Sequence, residues 1–425
     1  MSAHAATYTV SSPADAGPGT LRQAILDANG SAGADQIVFT TPAVVATAAM
    51  PDITDVVAID GSVGSGRVDI QGVPVNAGAF VFQAGASGST LTAVSVRLYL
   101  DPLTINANNV TVTDSVFENV SQVNGTGNTL NGGNVFAVLR VFGSNNIVEA
   151  NAIGYVAVVN GANNRIGSIG NGNTIGPGGV SVPVPANFYS VGVISAGHTF
   201  IEGNEIASNS DNGVYLADSS GPGATISGNT IHGQNIGILV SSLGVPGRFY
   251  GARILGNSIY DVNIPIDLGE LAVPSTGPTA NDPAPDADDG GNHLQNYPAI
   301  ASAIGTPTVL AVNGVLVSAP LTTYRIELFG NPATSAQART SLGTFDVTTD
   351  AAGNAPFTQL VAAPAAPNNV GLTATATNLT SNETSEVSAP VAIEVHTGVA
   401  SVPTASTWAL IGLALGLAAI ALLRT

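Results

Sequence analysis

Three short stretches of this chain bring side chains of chemical interest into step. Ile201-Glu202-Gly203-Asn204-Glu205-Ile206, Ile226-Ser227-Gly228-Asn229-Thr230-Ile231 and Ile254-Leu255-Gly256-Asn257-Ser258-Ile259 share the phrase Ile-x-Gly-Asn-x-Ile. Aligned on it, Glu205, Thr230 and Ser258 fall at one outward position and Ala207, His232 and Tyr260 at the next, with Asp211 and Asp261 nearby. An imidazole can give or take a proton near neutral pH, and carboxylates and a phenol beside it can hold sugar hydroxyls. Glu205, His232, Tyr260 and Asp261 are therefore candidates for acid–base work on a carbohydrate. The competing reading is a merely solvated surface histidine. A second group, Asp286, Asp288 and Asp289, carries the hard oxygen ligands that calcium takes. Its spacing is not that of an EF-hand, because Tyr297 stands where the bidentate glutamate would fall, and a solvated acidic loop is the alternative.

The elements that must position these residues follow from the same phrase. Its asparagines recur after 25 and then 28 residues, a repeat period. A second phrase runs between them, in Asn212-Gly213-Val214-Tyr215-Leu216, Asn235-Ile236-Gly237-Ile238-Leu239 and Asn263-Ile264-Pro265-Ile266-Asp267-Leu268. Each repeat thus holds two short alternating apolar runs and a Gly/Asn corner, too short and too β-branched for helix. The economical solution is a solenoid whose parallel strands stack about 4.8 Å apart, with isoleucine above isoleucine inside. Asn204, Asn229 and Asn257 are expected to occupy the left-handed corners and to join their amides in a ladder from coil to coil. This pattern resembles the right-handed parallel β-helix proteins of the pectin-lyase-like superfamily.

Composition agrees with an all-β, turn-rich chain. Among 425 residues only 9% are charged, while Gly contributes 50 and Pro 25. All 10 basic residues are arginines, and the net charge of −18 leaves no basic stripe for nucleic acid. The cysteine count of 0 excludes disulfides, thiol catalysis and Cys-based zinc sites.

Residues 1–6 read as the remnant of a leader and 7–40 as an N-terminal cap. Thr20 with Gln23 makes a capping box, and Leu21, Ala24, Ile25 and Ala28 form one apolar helix face, which would cover the first coil. The cap resembles the opening block of many bacterial surface β-helix proteins. Residues 41–270 are the solenoid, of roughly eight to ten coils, with degenerate copies of the phrase at Val112–Phe117, Val148–Ile153 and Gly172–Ile175. Residues 271–300 read as an acidic, Pro-rich linker. Residues 301–396 hold seven short strands, including a hairpin turning at Asn313-Gly314, and predict an immunoglobulin-like β-sandwich acting as spacer or binding module.

Residues 397–425 carry the signal for location. Val402-Pro403-Thr404-Ala405-Ser406-Thr407-Trp408 leads into an uncharged run that ends at Arg424. That run is short of the roughly 20 residues that span a bilayer comfortably, with an interfacial Trp at one end and Arg at the inner end. Pro403, Thr404, Ser406 and Trp408 resemble the bacterial sorting signals of the Ile-Pro-Thr-Leu-Ser-Glu-Trp-Gly type (IPTL-CTERM), with Val402 at the Ile position and a single Arg424. The resemblance implies export in a bacterium, C-terminal membrane anchoring or processing by an exosortase-like enzyme, and display at the cell surface.

The superfamily resemblance also raises polysaccharide cleavage. Polygalacturonase-like enzymes carry Asn-Thr-Asp, Asp-Asp, Gly-His-Gly and Arg-Ile-Lys motifs. Here the one Asp-Asp, Asp288-Asp289, lies beyond the solenoid, Gly197-His198-Thr199 lacks the second glycine, and the chain has no lysine. The favoured expectation is a non-catalytic, adhesin-like surface protein that touches polysaccharide or cell-surface glycan along its flank and needs no cofactor unless calcium. A polysaccharide lyase or glycoside hydrolase is the runner-up, and a purely structural envelope component is the third reading.

Overall fold

The computed structural model describes residues 5–73, 78–176, 189–194, 196–207, 211–217, 223–241, 251–269, 278–332, 335–364 and 370–396. The sorting-signal residues Val402, Pro403, Thr404, Ser406, Trp408 and Arg424 lie outside that set. Among the described residues, no helix is long and apolar enough to cross a membrane.

The chain is all-β, dominated by parallel strands in long stacked sheets, an arrangement compatible with a β-helix solenoid. One sheet holds 11 strands, each parallel to the one a circuit later, from Thr7–Val10 to Arg253–Leu255. A second assembly of 17 strands is two files side by side. They are fused only where Val116–Val123, Val135–Val141 and Ala152–Val159 run straight through both. Alternation does the sorting. Ile37, Ile59, Leu91, Val112, Leu130, Val148, Ile166, Ile201, Ile226 and Ile254 succeed one another in register, all buried. Each such side chain contributes roughly 1.5–3 kcal/mol by leaving water.

The corners work differently from the expectation. The left-handed residues are the glycines before the asparagines, Gly203 (φ 67°), Gly228 (φ 63°) and Gly256 (φ 66°). That turn sends the following asparagine inward. Asn204, Asn229 and Asn257 are buried, and each carboxamide oxygen accepts from the asparagine one circuit earlier. Asn204 donates to Asn229 Oδ1 through its backbone N–H (2.9 Å) and its Nδ2 (3.0 Å). The same pattern runs back through Asn173, Asn151 and Asn134 to Ser115. A second ladder, Asn128–Asn146–Asn164, was not read from the sequence. Its rungs are 18 residues apart, and the Asn134–Asn151 step is 17, so the middle circuits are shorter than the repeats that define the phrase. Of the 11 strands of the first sheet, Thr7–Val10 and Asp35–Phe39 belong to the cap, which leaves a number within residues 41–270 that agrees with the eight to ten coils expected there.

At the N-terminus, Leu21–Gly30 is helical and buries Leu21, Ala24, Ile25 and Ala28 in the solenoid core. Thr20 Oγ1 accepts from the Gln23 N–H (3.3 Å), but the capping box is half-formed: the Gln23 side chain turns to Asp27 instead (2.8 Å).

The C-terminal strands form a seven-stranded mixed sheet whose two halves share one core, with Leu310, Val312 and Leu316 facing Tyr324, Ile326, Leu328, Leu372 and Ala374. The expected Asn313-Gly314 hairpin is absent, because Val309–Val317 is one continuous strand. Ala299–Gly305 pairs on one side of it and Asn354–Ala362 on the other. With partners on both edges the backbone gains more by staying extended than by turning, and a Cβ on Gly314 would meet the Phe357 ring at 2.6 Å.

This unit packs directly against the solenoid. It closes the end of the solenoid, whose last strands would otherwise present open edges. Ile259 and Ala338 exchange backbone hydrogen bonds (2.8 and 3.0 Å), Ile254 N–H donates to Thr384 Oγ1 (2.9 Å) and Gly256 N–H to Glu327 (2.9 Å). Phe329, Ala338 and Val387 join the solenoid core. The expected linker takes part too: buried Asn292 donates to the Ala252 and Thr384 carbonyls (both 2.8 Å).

Candidate functional site

The flank predicted from the repeats is assembled by strands Glu205–Ala207, Thr230–His232 and Ser258–Tyr260. Their register sets Glu205, Thr230 and Ser258 in one file and Ala207, His232 and Tyr260 in the other, while Ile206, Ile231 and Ile259 point inward. His232 Nε2 lies 2.6 Å from Glu205 Oε1. The His232 and Tyr260 rings stack, with centroids 5.0 Å apart and planes 9° apart. Arg339, on the closing unit, lies over the Tyr260 ring at 4.4 Å and approaches Asp261 at 4.0 Å. Beside Tyr260, Asp261 and Arg339 is a cleft of about 130 Å³, completed by Pro332, Ser335 and Gln337. Asp211 is exposed and takes no part in this cluster.

This geometry constrains the chemistry. Glu205 can orient the imidazole as a carboxylate orients a general base. Tyr260 is held between His232 from one neighbouring strand and Arg339 from the other side. The cleft opens beside Asp261 and does not include His232.

The expected calcium residues differ in their exposure. Asp286 turns inward, accepting from Gln295 Nε2 (3.1 Å), the Asn296 N–H (3.3 Å) and Ser318 Oγ. Burial pushes its carboxyl up to about 6, against the lowering pull of the Ser318 bond. Asp288 is half-buried and Asp289 exposed. Among the described residues, no three metal-ligating side chains converge.

Sequence reasoning missed an aromatic row on the third file of strands. Tyr189 and Tyr215 stack at 5.8 Å and 14°, and Tyr155 meets Tyr189 edge-on at 6.2 Å. All three are half-buried on the outer surface. Gly192 makes room for the row: a Cβ there would sit 2.5 Å from the Tyr189 ring. The three rings do not share one register column: Gly192 pairs with Tyr215 on one side but with Ala157 on the other, and Tyr189 pairs with Asn212, so aligning the repeats gives no aromatic position to read.

No protein-family model matches the chain, and no curated protein matches it.

Proposed function

We propose that this chain is an exported, right-handed parallel β-helix protein of pectin-lyase-like architecture, closed by an immunoglobulin-like unit, whose flank contacts carbohydrate without turning it over. The tail residues Pro403, Thr404, Ser406 and Trp408 support the surface location, with processing by an exosortase-like enzyme or retention in the membrane. The observation that carries the binding reading is the row Tyr155–Tyr189–Tyr215, three amphipathic rings lined up along successive circuits. Such rings supply apolar area and hydroxyls together, the mixture that a sugar face and its edge require.

Binding of the full-length protein to a neutral polysaccharide panel tests this. Tyr215→Ala is expected to weaken binding roughly five- to tenfold, the loss of one aromatic contact, and Gly192→Ala to weaken it by displacing the Tyr189 ring. Unchanged binding in both variants would remove the row from the account. The pair His232–Glu205 at 2.6 Å favours the second reading, cleavage of the polysaccharide. New reducing ends or unsaturated products that vanish in His232→Ala would establish it in place of simple binding. A panel that neither binds nor is cleaved would leave the envelope-structural role.

A further inference from the structure

Along the first sheet's outer face, Arg165, Phe200, Thr225 and Arg253 follow one another in register. Arg165 is spent: it pairs with Glu202 and lies over the Phe200 ring at 4.8 Å. Arg22, Arg67, Arg97, Arg325 and Arg339 likewise face carboxylates. Arg253 differs. Among the described residues it has no carboxylate at ion-pair distance, and its Nε–H is buried without an acceptor. Glu327, the acid whose charge it influences, is committed to the Gly256 N–H (2.9 Å). A buried guanidinium donor left unmatched is costly, and native structures seldom keep one without a use.

Arg253 lines a cleft of about 220 Å³ where the solenoid meets the closing unit. Thr225 and His198 lie on the solenoid side and Ser381 and Asn382 on the other. His198 Nε2 is 3.2 Å from Thr225 Oγ1, and the imidazole sits edge-on against Phe200 at 4.6 Å. Burial holds this histidine below its ordinary value, only partly offset by Glu202, so it is neutral at pH 7. Among the described residues, the cleft therefore presents one fixed positive charge, one neutral imidazole and a rim of hydroxyl and amide groups.

We propose that this cleft binds a single carboxylate carried on a small polar body, with Arg253 as the charge partner and Thr225, Ser381 and Asn382 bonding the body. A guanidinium fork matches a planar carboxylate. One cation in a chain of net charge −18 favours a singly charged ligand over phosphate or a polyanion. The volume suits a group the size of one sugar or one amino-acid residue, since pockets for larger ligands start at about 300 Å³. The site uses none of the tyrosine-row residues and stands or falls apart from the flank reading.

Titration of the full-length protein by calorimetry, with the His198 ring protons followed by NMR, tests this with three probes: N-acetylglycine, glucuronate and neutral N-acetylglycinamide. Saturable binding of a carboxylate, a rise in the His198 pKa on binding, and silence with the amide are expected. Saturation by N-acetylglycine alone identifies an amino-acid or chain-end ligand, by glucuronate alone an acidic sugar, and by both the carboxylate itself. Arg253→Met is expected to weaken binding roughly tenfold or more, with Arg253→Lys in between. Asn382→Gly, which keeps the left-handed corner (φ 62°), weakens it without touching the core and serves if the arginine variants do not fold. No saturation by either carboxylate, equal binding of the amide, or full affinity in Arg253→Met or Asn382→Gly would overturn the proposal.

Discussion

Asn229→Ala is expected to lower the unfolding free energy by about 4 kcal/mol, the cost of orphaning several buried polar groups at roughly 1–3 kcal/mol each. The side chain is fully used. Its oxygen accepts from the Asn204 N–H (2.9 Å) and Asn204 Nδ2 (3.0 Å), and its amide donates to Asn257 Oδ1 (2.9 Å) and the Ile201 carbonyl (2.8 Å). Alanine leaves the Asn204 N–H and one Asn204 Nδ2 hydrogen without an acceptor, while Nδ2 keeps its bond to the Ile166 carbonyl (2.7 Å), and it removes the donor to the Ile201 carbonyl, at a site that is 1% exposed. Aspartate is expected to be worse, because it would set a buried negative charge against the Asn257 oxygen. Asn263, whose bond to Asn235 Oδ1 (2.7 Å) is solvent-exposed, is the matched control, and its alanine variant should stay within about 0.5 kcal/mol of the parent. Denaturant unfolding of the two variants decides the matter; equal losses would mean that the ladder is incidental to stability.

The second large effect is a gain in stability as pH falls from about 8 to about 5. Glu386 is 2% exposed, in the closing unit, and accepts from the Leu268 (3.1 Å) and Thr279 N–H groups. Burial dominates those bonds, and Asp267 adds repulsion, so its carboxyl is pushed from 4.5 up to about 7. Between those values the folded chain holds a proton that the unfolded chain has released. The stabilising contribution is therefore complete below 4.5 and lost as pH rises through about 7, a change of about 3 kcal/mol. Asp286, raised from 3.8 to about 6, and buried Glu327 and Asp267, also raised by burial, act in the same sense. His293 does too: its 2.7 Å bond to Glu383 raises it, so its contribution is present below 6.5 and fades as pH climbs. Asp346 and Asp350, lowered by Arg325 and by backbone N–H groups respectively, oppose this only below 3.8. Thermal unfolding from pH 4.5 to 8.5 should show the trend, and Glu386→Gln should flatten it even if the lost Thr279 bond lowers stability at every pH. A slope identical in parent and Glu386→Gln would show that another group carries the dependence.

Glu386, Glu327 and Asp267 lie where the closing unit meets the last circuit, and so does the Arg253 cleft. That junction supplies edge protection for the solenoid, a pH-dependent part of its stability and the proposed anion site.

Much of the solenoid was legible before any coordinates. Alternation is local, and a strand buried on one face announces itself within a handful of residues, which is why the isoleucine files and an amide ladder at Asn204, Asn229 and Asn257 could be anticipated, but not the inward turn that the preceding glycines impose. The file Glu205–Thr230–Ser258 beside His232–Tyr260 followed from the same phrase, because in-register parallel strands carry equivalent positions to equivalent places. Reading stopped where the phrase degenerated. Asn128, Asn146 and Asn164 keep the inward turn, through left-handed Gly127, Asn145 and Asn163, but have Gly125, Gly143 and Gly161 where the phrase has its first isoleucine.

What only the tertiary structure decided lies between residues distant in the chain. Asn313-Gly314 has the local chemistry of a hairpin, yet two strands from elsewhere hold it straight. Glu386 and Thr384 look like polar turn residues, yet they are buried by contacts with Leu268 and Ile254, 118 and 130 residues away. Arg253 reads as one exposed arginine among several until the closing unit shuts over it. Sequence pattern reports which face of a strand is buried. Which distant surface buries it, and which charges are caught between them, is settled only when the chain has folded.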